Sequence, residues 1–221
     1  MKSLTIKRVI KEYSVSICLV ISVILMVIAI LVYPGGSLLD QNSTGFDWSE
    51  NFFSNLFEVK AINGSENTSR IWALVGIGFH SLGYGIFFIN MSKKIATGHA
   101  STTLKLMGAS NILFTFLIAT PLHDIMVTIS STLFLIGLFY ITVFIVKTKL
   151  QLFKLACIIC LLTFYYTLYL YGSGNWGLLA IMQKVSFISS MLLILGLEYF
   201  TKQGDFNQIL PSGQKIKATN R

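Results

Sequence analysis

The stretch VSICLVISVILMVIAILV, residues 15–32, contains no charged side chain. A hydrocarbon core about 30 Å thick takes roughly 20 helical residues to cross, so this stretch has the length of a transmembrane helix. Basic residues precede it, as in a secretory signal peptide. However, the run is of full spanning length, and the following Tyr33-Pro34-Gly35-Gly36 is not a small-x-small cleavage site. We therefore predict a first transmembrane helix that is retained.

The composition of the whole chain is that of a membrane protein. Hydrophobic residues make up 54% of the 221 residues and charged residues 12%, whereas a soluble domain carries about 25% charged residues. The apolar blocks of spanning length are residues 15–32, 71–89, 104–121, 125–146, 155–171 and 178–200. We predict an all-α polytopic membrane protein whose single transmembrane domain, residues 15–200, is a bundle of six transmembrane helices. Tails 1–14 and 201–221 flank it.

Lysine and arginine residues indicate how the predicted spans are oriented. Four lie in the N-terminal tail, three between the second and third spans, three between the fourth and fifth, and four in the C-terminal tail. Thus 14 of the 17 share one side. Loops on the cytoplasmic side carry the excess of basic residues. We therefore predict a multi-pass protein of the cell (plasma or inner) membrane with both termini in the cytoplasm. This pattern also explains the net charge of +8, so we predict no nucleic-acid binding.

One long connection, residues 33–70, lies on the predicted outer side. Loops of that length in compact proteins are usually functional or have structure of their own. Asp47 fits a helix N-cap with an acid three residues later, and Trp48, Phe52 and Leu56 follow at four-residue spacing. We predict a short outer interfacial helix whose aromatic face lies in the headgroup layer. The alternative is that these aromatic residues cover the bundle as a lid.

Polar side chains inside spanning helices are costly, and they mark a pathway, a pocket or a helix contact. At 1.5 Å per helical residue, those of four predicted spans lie roughly 8 to 15 Å below the outer ends of their helices, in a single layer. We predict that this layer forms an outward-facing polar pocket. Its predicted ligand-binding residues are His80, Asn111, Ser131, Gln183 and Lys184, with Ser130 beside Ser131.

Two members of this layer leave alternatives open. His80 shares a helical face with Ala73, Gly76 and Gly83. Such a face lets another backbone approach closely, so His80 serves either the pocket or a tight helix contact. Lys184 either faces the interior of the bundle, where it needs a partner or water, or extends to the outer headgroups. In the first arrangement it would pair with an anionic group of the ligand.

His123 and Asp124 follow Pro121 in a tight turn after the third span. Proline ends a helix and Asp124 can cap the next one, so capping is one interpretation. The other is catalytic, with Ser54 or a water as nucleophile, His123 as base and Asp124 as the group that orients the base. We predict no metal site, because His80 lies roughly 14 Å deeper than the turn and cannot share an ion with it.

Three short motifs carry a resemblance to a known family. They are Tyr33-Pro34-Gly35-Gly36-Ser37, Asn51-Phe52-Phe53-Ser54-Asn55-Leu56 followed by Asn63-Gly64 and Asn67, and Pro121-Leu122-His123-Asp124. Over nearly its whole length the chain resembles the six-helix membrane proteins grouped as domain-of-unknown-function family 998, found in bacteria and archaea. That family often has Ser-Asp-Leu-Gly where this chain has Ser54-Asn55-Leu56-Phe57, so Asn55 stands in the place of an acidic residue.

Three hypotheses for function follow. The first is a binding or transport-type protein whose pocket receives a small amphiphile or lipid headgroup, with membrane lipids and an anionic small molecule or headgroup as partners. The second is a membrane-embedded lipid-processing hydrolase acting through Ser54, His123 and Asp124. The family looks similar to broader helical groups that include such enzymes, but this chain lacks their final His-x-x-x-His. The third is an accessory subunit that binds a protein partner through the glycine-rich second helix. No motif indicates a cofactor, and we favour the first hypothesis over an enzyme.

Overall fold

Six long helices follow one another along the part of the chain that the structure describes. The structure is a computed structural model and describes residues 9–95, 98–118, 120 and 122–206. The helices are α1 (Ser14–Leu31), α2 (Arg70–Lys94), α3 (Gly98–Leu117), α4 (His123–Val146), α5 (Gln151–Ser173) and α6 (Trp176–Phe200), and a single turn, α7 (Gln203–Phe206), follows them. These ranges contain two isolated β-bridges but no strand, so the fold is all-α, as predicted.

Five of the long helices have the length and apolar character needed to cross a membrane. They are α1, α2, α5, α6 and, from Thr128 onward, α4. The chain is therefore a membrane protein. The sixth helix, α3, has 20 residues, but it contains Lys105, Asn111 and several serines and threonines, and no stretch of it is as apolar as the other five. It has the length of a span without the same apolar character.

The helices extend beyond the apolar blocks that predict them. The second block ends at residue 89, yet α2 continues to Lys94, and α3 begins at Gly98 although its block begins at residue 104. Backbone hydrogen bonding needs no apolar side chain, so a helix can continue into polar sequence. Lys93 and Lys94 in the last turn of α2 also interact favourably with the helix dipole.

α2 packs between α1 and α3, and glycine residues set its distance from both. Gly76 and Gly83 face side chains of α1, and a Cβ atom at Gly83 would lie 3.0 Å from Leu19. On the other side, a Cβ atom at Gly108 of α3 would lie 2.9 Å from the carbonyl oxygen of Gly85. Small residues let helix backbones approach in this way. Gly76 and Gly83 are therefore covered by α1 of the same chain, and a protein partner at this glycine-rich helix stays a prediction.

An apolar core joins α2, α4 and α6 at the end of the bundle that lies away from residues 33–69. Its fully buried side chains include Phe87, Phe88, Leu138, Ile141, Ile194 and Leu197. Phe206 of α7 packs into the same core. The first residues of the predicted tail therefore pack against the bundle, while residues 207–221 lie outside the described part of the chain.

Residues 33–69 fold over the other end of the bundle and are called the lid from here on. The hydroxyl group of Tyr33, a buried residue, accepts a hydrogen bond from the amide of Ile62 at 3.2 Å. Gly35 and Gly36 have φ angles of +137° and +84°, a region that favours glycine. A Cβ atom at Gly36 would lie 2.7 Å from the carbonyl carbon of Ile62. The Tyr-Pro-Gly-Gly motif thus brings two parts of the lid together.

Buried asparagine side chains hold the lid in shape. The amide nitrogen of Asn67 donates to the carbonyl oxygens of Asn55 and Glu58, both at 2.9 Å. The amide nitrogen of Asn51 donates to the carbonyl oxygen of Gly36 at 2.8 Å. Buried main-chain groups need hydrogen-bond partners, and in an irregular segment side chains supply them. The asparagine residues of the second family-like motif are therefore structural parts of the lid.

The lid does not contain the predicted interfacial helix as a regular helix. Residues 48–50 form a turn, and Phe53–Leu56 form a short 3-10 helix. The side-chain oxygen of Asn55 accepts from the amide of Phe52 at 2.7 Å, and such local side-chain bonds compete with helical ones. Phe57 and the apolar side chains of the 3-10 helix are buried. The aromatic segment therefore covers the bundle.

Candidate ligand-binding cavity

A cavity of about 450 Å³ lies between the lid and the bundle. Side chains from all six long helices contribute to its walls, and Phe52, Phe53, Ser54 and Phe57 of the lid form its roof. Small-molecule sites typically have volumes of roughly 300 to 1,000 Å³. The cavity is therefore large enough for a small organic group.

The cavity brings together most of the polar layer predicted from the sequence. The predicted residues that line it are His80, Asn111, Ser131 and Gln183, together with Ser54 of the lid. They come from four helices and one loop, so their meeting depends on the fold and on their similar depth along the helices. Lys184, the fifth predicted ligand-binding residue, is not part of the described lining.

His80 is buried in the cavity wall, with 7% of its surface exposed. Its ring stacks on that of Phe187, at a centroid distance of 4.6 Å, and contacts the tilted ring of Tyr84 at 4.1 Å. Its Nδ1 atom has no hydrogen-bond partner among the described residues. A buried polar atom left unpaired costs about 1 to 3 kcal/mol. The structure therefore does not show the alternative interpretation, in which His80 hydrogen-bonds across a helix contact.

Asn111 belongs to a hydrogen-bonded network that joins α3 to α4. Its side-chain oxygen accepts from the hydroxyl of Thr115 at 2.9 Å, and its side-chain nitrogen donates to the carbonyl oxygen of Ser130 at 3.3 Å. The hydroxyl oxygens of Thr115 and Ser130 are 2.6 Å apart. Because these groups satisfy one another, Asn111 builds a polar wall of the cavity.

Gln183 connects the cavity wall to the lid. Its side-chain oxygen accepts from the amide of Phe53 at 2.9 Å. The Phe53 ring also packs edge-on against Phe187, with a centroid distance of 5.1 Å. The lid is thus attached to α6 directly above the cavity.

Several hydroxyl groups of the lining were not predicted from the sequence. The hydroxyl oxygens of Tyr84 and Ser190 are 2.6 Å apart, and those of Thr167 and Ser186 are 2.8 Å apart. Starting from Gln183, Ser186 and Ser190 follow at i+3 and i+7, the spacing of one helix face. That spacing is the signal in the sequence that indicates two of these four residues.

Lys184 is buried, but it serves the lid. Its ammonium group donates to the carbonyl oxygens of Asn51, at 2.5 Å, and of Ala180, at 2.7 Å. The ammonium group also lies 5.6 Å from the ring centroid of Phe46. It and the carboxylate of Asp47 attract each other electrostatically. Of the two alternatives for Lys184, the structure contains the interior one. Its partners are main-chain carbonyls, however, which take the place of the predicted anionic group.

Asp47 anchors a turn in the lid close to this contact. Its carboxylate accepts from the hydroxyl and the amide of Ser49, at 2.6 Å and 2.7 Å, and from the amide of Glu50 at 3.1 Å. These hydrogen bonds, first of all the one from the Ser49 hydroxyl, hold the pKa of the Asp47 carboxyl below its usual range. A negative charge is therefore present beside Lys184 at neutral pH.

The residues of the hydrolase hypothesis are only partly described. Ser54 lines the cavity. α4 begins at His123 after Leu122 in the N-cap position, so Asp124 lies within the first turn and is not the N-cap residue. The side chains of His123 and Asp124 lie outside the described part of the structure, as does Pro121. The grouping of Ser54 with His123 and Asp124 stays a prediction.

The chemistry of the lining favours an uncharged ligand. Among the described residues of the cavity wall there is no aspartate, glutamate, lysine or arginine. Aromatic and aliphatic side chains alternate with hydroxyl groups, amides and one imidazole. A charged group without a partner is costly in such surroundings, whereas a neutral polar group finds hydrogen-bond partners. The site therefore suits a molecule with a neutral polar end and an apolar end.

Comparisons of the chain with protein families, with curated proteins and with solved structures found no match. The resemblance to domain-of-unknown-function family 998 therefore stays a prediction. The evidence for function is the cavity itself.

Proposed function

We propose that this protein binds or transports a neutral amphiphile, whose polar group occupies the cavity beneath the lid. The observation that carries the proposal is the cavity itself, whose described lining combines hydroxyl groups, amides and the His80 imidazole with apolar side chains and contains no charged residue. A hydroxyl or carbonyl group of a ligand would hydrogen-bond to these polar groups, among them Nε2 of the His80 ring. The aromatic and aliphatic part of the lining would hold the apolar end.

The packing around His80 also supports a binding role. The rings of Tyr84 and Phe187 both pack against the imidazole ring and restrict its rotation. A group that is already held in its binding orientation loses little conformational freedom when the ligand arrives, and this favours affinity. The protein thus holds a polar ring in a fixed position in the cavity wall, as a prepared binding site would.

A six-span topology with cytoplasmic termini is part of the same proposal. α3 has the length of a span, about 30 Å for its 20 residues. Only short connections join it to α2 and to α4, so it runs antiparallel to both. If α3 also crosses, 14 of the 17 basic residues lie on one side, which is then the cytoplasmic side. The lid and the cavity then lie in the outer half of the cell membrane.

Replacement of His80 by phenylalanine tests the proposed role. Phenylalanine preserves the ring stacking and removes the ring nitrogens. The probe is a photoactivatable monoacylglycerol, titrated into phosphatidylcholine vesicles that contain the full chain, and the labelled fraction is read by intact mass spectrometry. Wild-type protein should be labelled saturably. In His80→Phe the half-saturating concentration should rise about three- to tenfold, because one hydrogen bond is lost.

The second histidine of the described bundle provides the matched control. His99 is exposed and its Nε2 atom lies 3.1 Å from the hydroxyl of Tyr140, away from the cavity. His99→Phe should leave the half-saturating concentration unchanged. Without the probe, His80→Phe should be at least as stable as wild type, because it removes an unpaired buried group. Equal labelling of wild type and His80→Phe would contradict the proposed role of His80.

A further inference from the structure

The lid covers the cavity at one end of the bundle. Phe53 at its roof is hydrogen-bonded to Gln183, and Asn51 is hydrogen-bonded to Lys184, so two neighbouring residues of α6 attach the lid. Leu56 of the roof segment is fully buried. A ligand that came from the water would have to break these contacts first.

Beside the turn between α5 and α6, two residues of the cavity lining are also exposed at the surface of the chain, and we take this place as an opening of the cavity. Tyr171 and Trp176 line the cavity and are 37% and 46% exposed. Their rings pack edge to face, with a centroid distance of 5.8 Å. We call this opening, at Tyr171 and Trp176, the mouth. Tyrosine and tryptophan are enriched where a membrane protein meets the interface between hydrocarbon and water.

The mouth opens toward lipid, because α5 is the least enclosed of the spanning helices. Only 11% of its apolar stretch is buried inside the chain, against 39 to 56% for the other four. Its exposed side chains include Leu155, Ile158, Leu162, Tyr165, Tyr166 and Tyr169. On this side, the single helix α5 therefore separates the polar lining of the cavity from the bilayer.

We infer that the ligand is a neutral lipid from the leaflet on the lid side, which passes sideways through the mouth with its headgroup first. The inference rests on the proposed function and specifies the source of the ligand. The headgroup would lie among the hydroxyl groups of the cavity, and the acyl chain would leave past Tyr171 and Trp176 into the bilayer. The volume supports this arrangement, since a cavity of about 450 Å³ suits a drug-sized group and not a lipid with its full chains.

Two forms of the monoacylglycerol probe test the orientation of the bound lipid. One carries its diazirine beside the glycerol group and the other carries it at the end of the acyl chain. Both are used with the full chain in phosphatidylcholine vesicles, and the labelled peptides are mapped by mass spectrometry. The headgroup probe should label the peptides that contain residues 128–134 and 183–190, because each range contributes four residues to the cavity lining. The chain-end probe should shift the labelling to residues 165–176, around the mouth.

Competition separates a lipid from a free solute with the same polar group. Unlabelled monoolein should suppress the labelling, and a large excess of glycerol should leave it unchanged. Competition by glycerol, or chain-end labelling of residues 52–57 in the lid, would overturn the lipid route while leaving the proposed binding site standing. If neither probe labels the cavity saturably, the proposed function fails, and the lipid route fails with it.

Discussion

Ser131→Trp should abolish binding of the photoactivatable monoacylglycerol while leaving the protein folded. Ser131 lines the cavity from α4 and is only partly buried. A tryptophan forced into a packed core costs about 1 to 3 kcal/mol, but here the indole ring enters space that is already present. Ligand and indole cannot occupy the same volume. The half-saturating concentration should therefore rise at least about 100-fold, which corresponds to about 2.8 kcal/mol.

The next residue in the chain provides the control for this variant. Thr132 is exposed, and its hydroxyl group bonds to the carbonyl oxygen of Thr128 in its own helix. Thr132→Trp adds the same indole ring to the outer surface of α4 and should be labelled like wild type. Wild-type labelling of Ser131→Trp, in a sample that elutes as a folded monodisperse protein, would show that the probe binds elsewhere.

Asn67→Asp should release the lid, because it replaces a hydrogen-bond donor by an acceptor of the same shape. The amide nitrogen of Asn67 donates to the carbonyl oxygens of Asn55, Leu56 and Glu58, and an aspartate offers these oxygens no donor. Each buried group left unpaired costs about 1 to 3 kcal/mol, so closure of the lid should weaken by about 3 kcal/mol or more. Hydrogen exchange of the lid amides, measured by mass spectrometry, should accelerate about 100-fold.

A second asparagine of the lid separates this effect from the added charge. Asn63 is exposed, and its side-chain oxygen accepts from the amide of Ser65 at 3.1 Å. Asn63→Asp retains that oxygen, so lid exchange should stay at the wild-type rate. The account of the lid would be wrong if Asn67→Asp exchanged no faster than Asn63→Asp.

The helices could be predicted from the sequence because a membrane-spanning helix needs little more than an apolar run of the right length. The first block, residues 15–32, matches α1 (Ser14–Leu31) within one residue at each end. Helix ends in polar sequence were harder to predict. α2 continues to Lys94 because helical backbone hydrogen bonds need no apolar side chains. An apolar run indicates the part of a helix that crosses the membrane, and it indicates the ends of the helix only indirectly.

The conformation of the lid could not be predicted from sequence patterns, for a different reason. The spacing of its aromatic residues fits a helix, but the side-chain oxygens of Asn55 and Asn51 accept from the nearby amides of Phe52 and Asp47 and stabilise turns in its place. Gly35 and Gly36 bring distant parts of the loop together. Such contacts depend on which segments meet in three dimensions, and no periodicity in the sequence reports that.

The candidate site was predicted in part, because depth along a helix can be counted from the sequence. Depth alone placed His80, Asn111 and Gln183 in one layer, and the structure brings them to one cavity. The partner of Lys184 could not be predicted, because it is a main-chain carbonyl 133 positions away, at Asn51. The absence of charge from the described cavity lining changes the expected ligand from an anionic to a neutral one.

Native mass spectrometry of the full chain, extracted from the membrane in which it is made, tests the central claim most directly. The claim is that the cavity beneath the lid, with His80 in its wall, holds a neutral amphiphile. Wild-type protein and Thr132→Trp should each retain one neutral lipid per chain, and Ser131→Trp should retain none. Wild-type protein without bound lipid, or the same lipids on Ser131→Trp as on wild type, would contradict it.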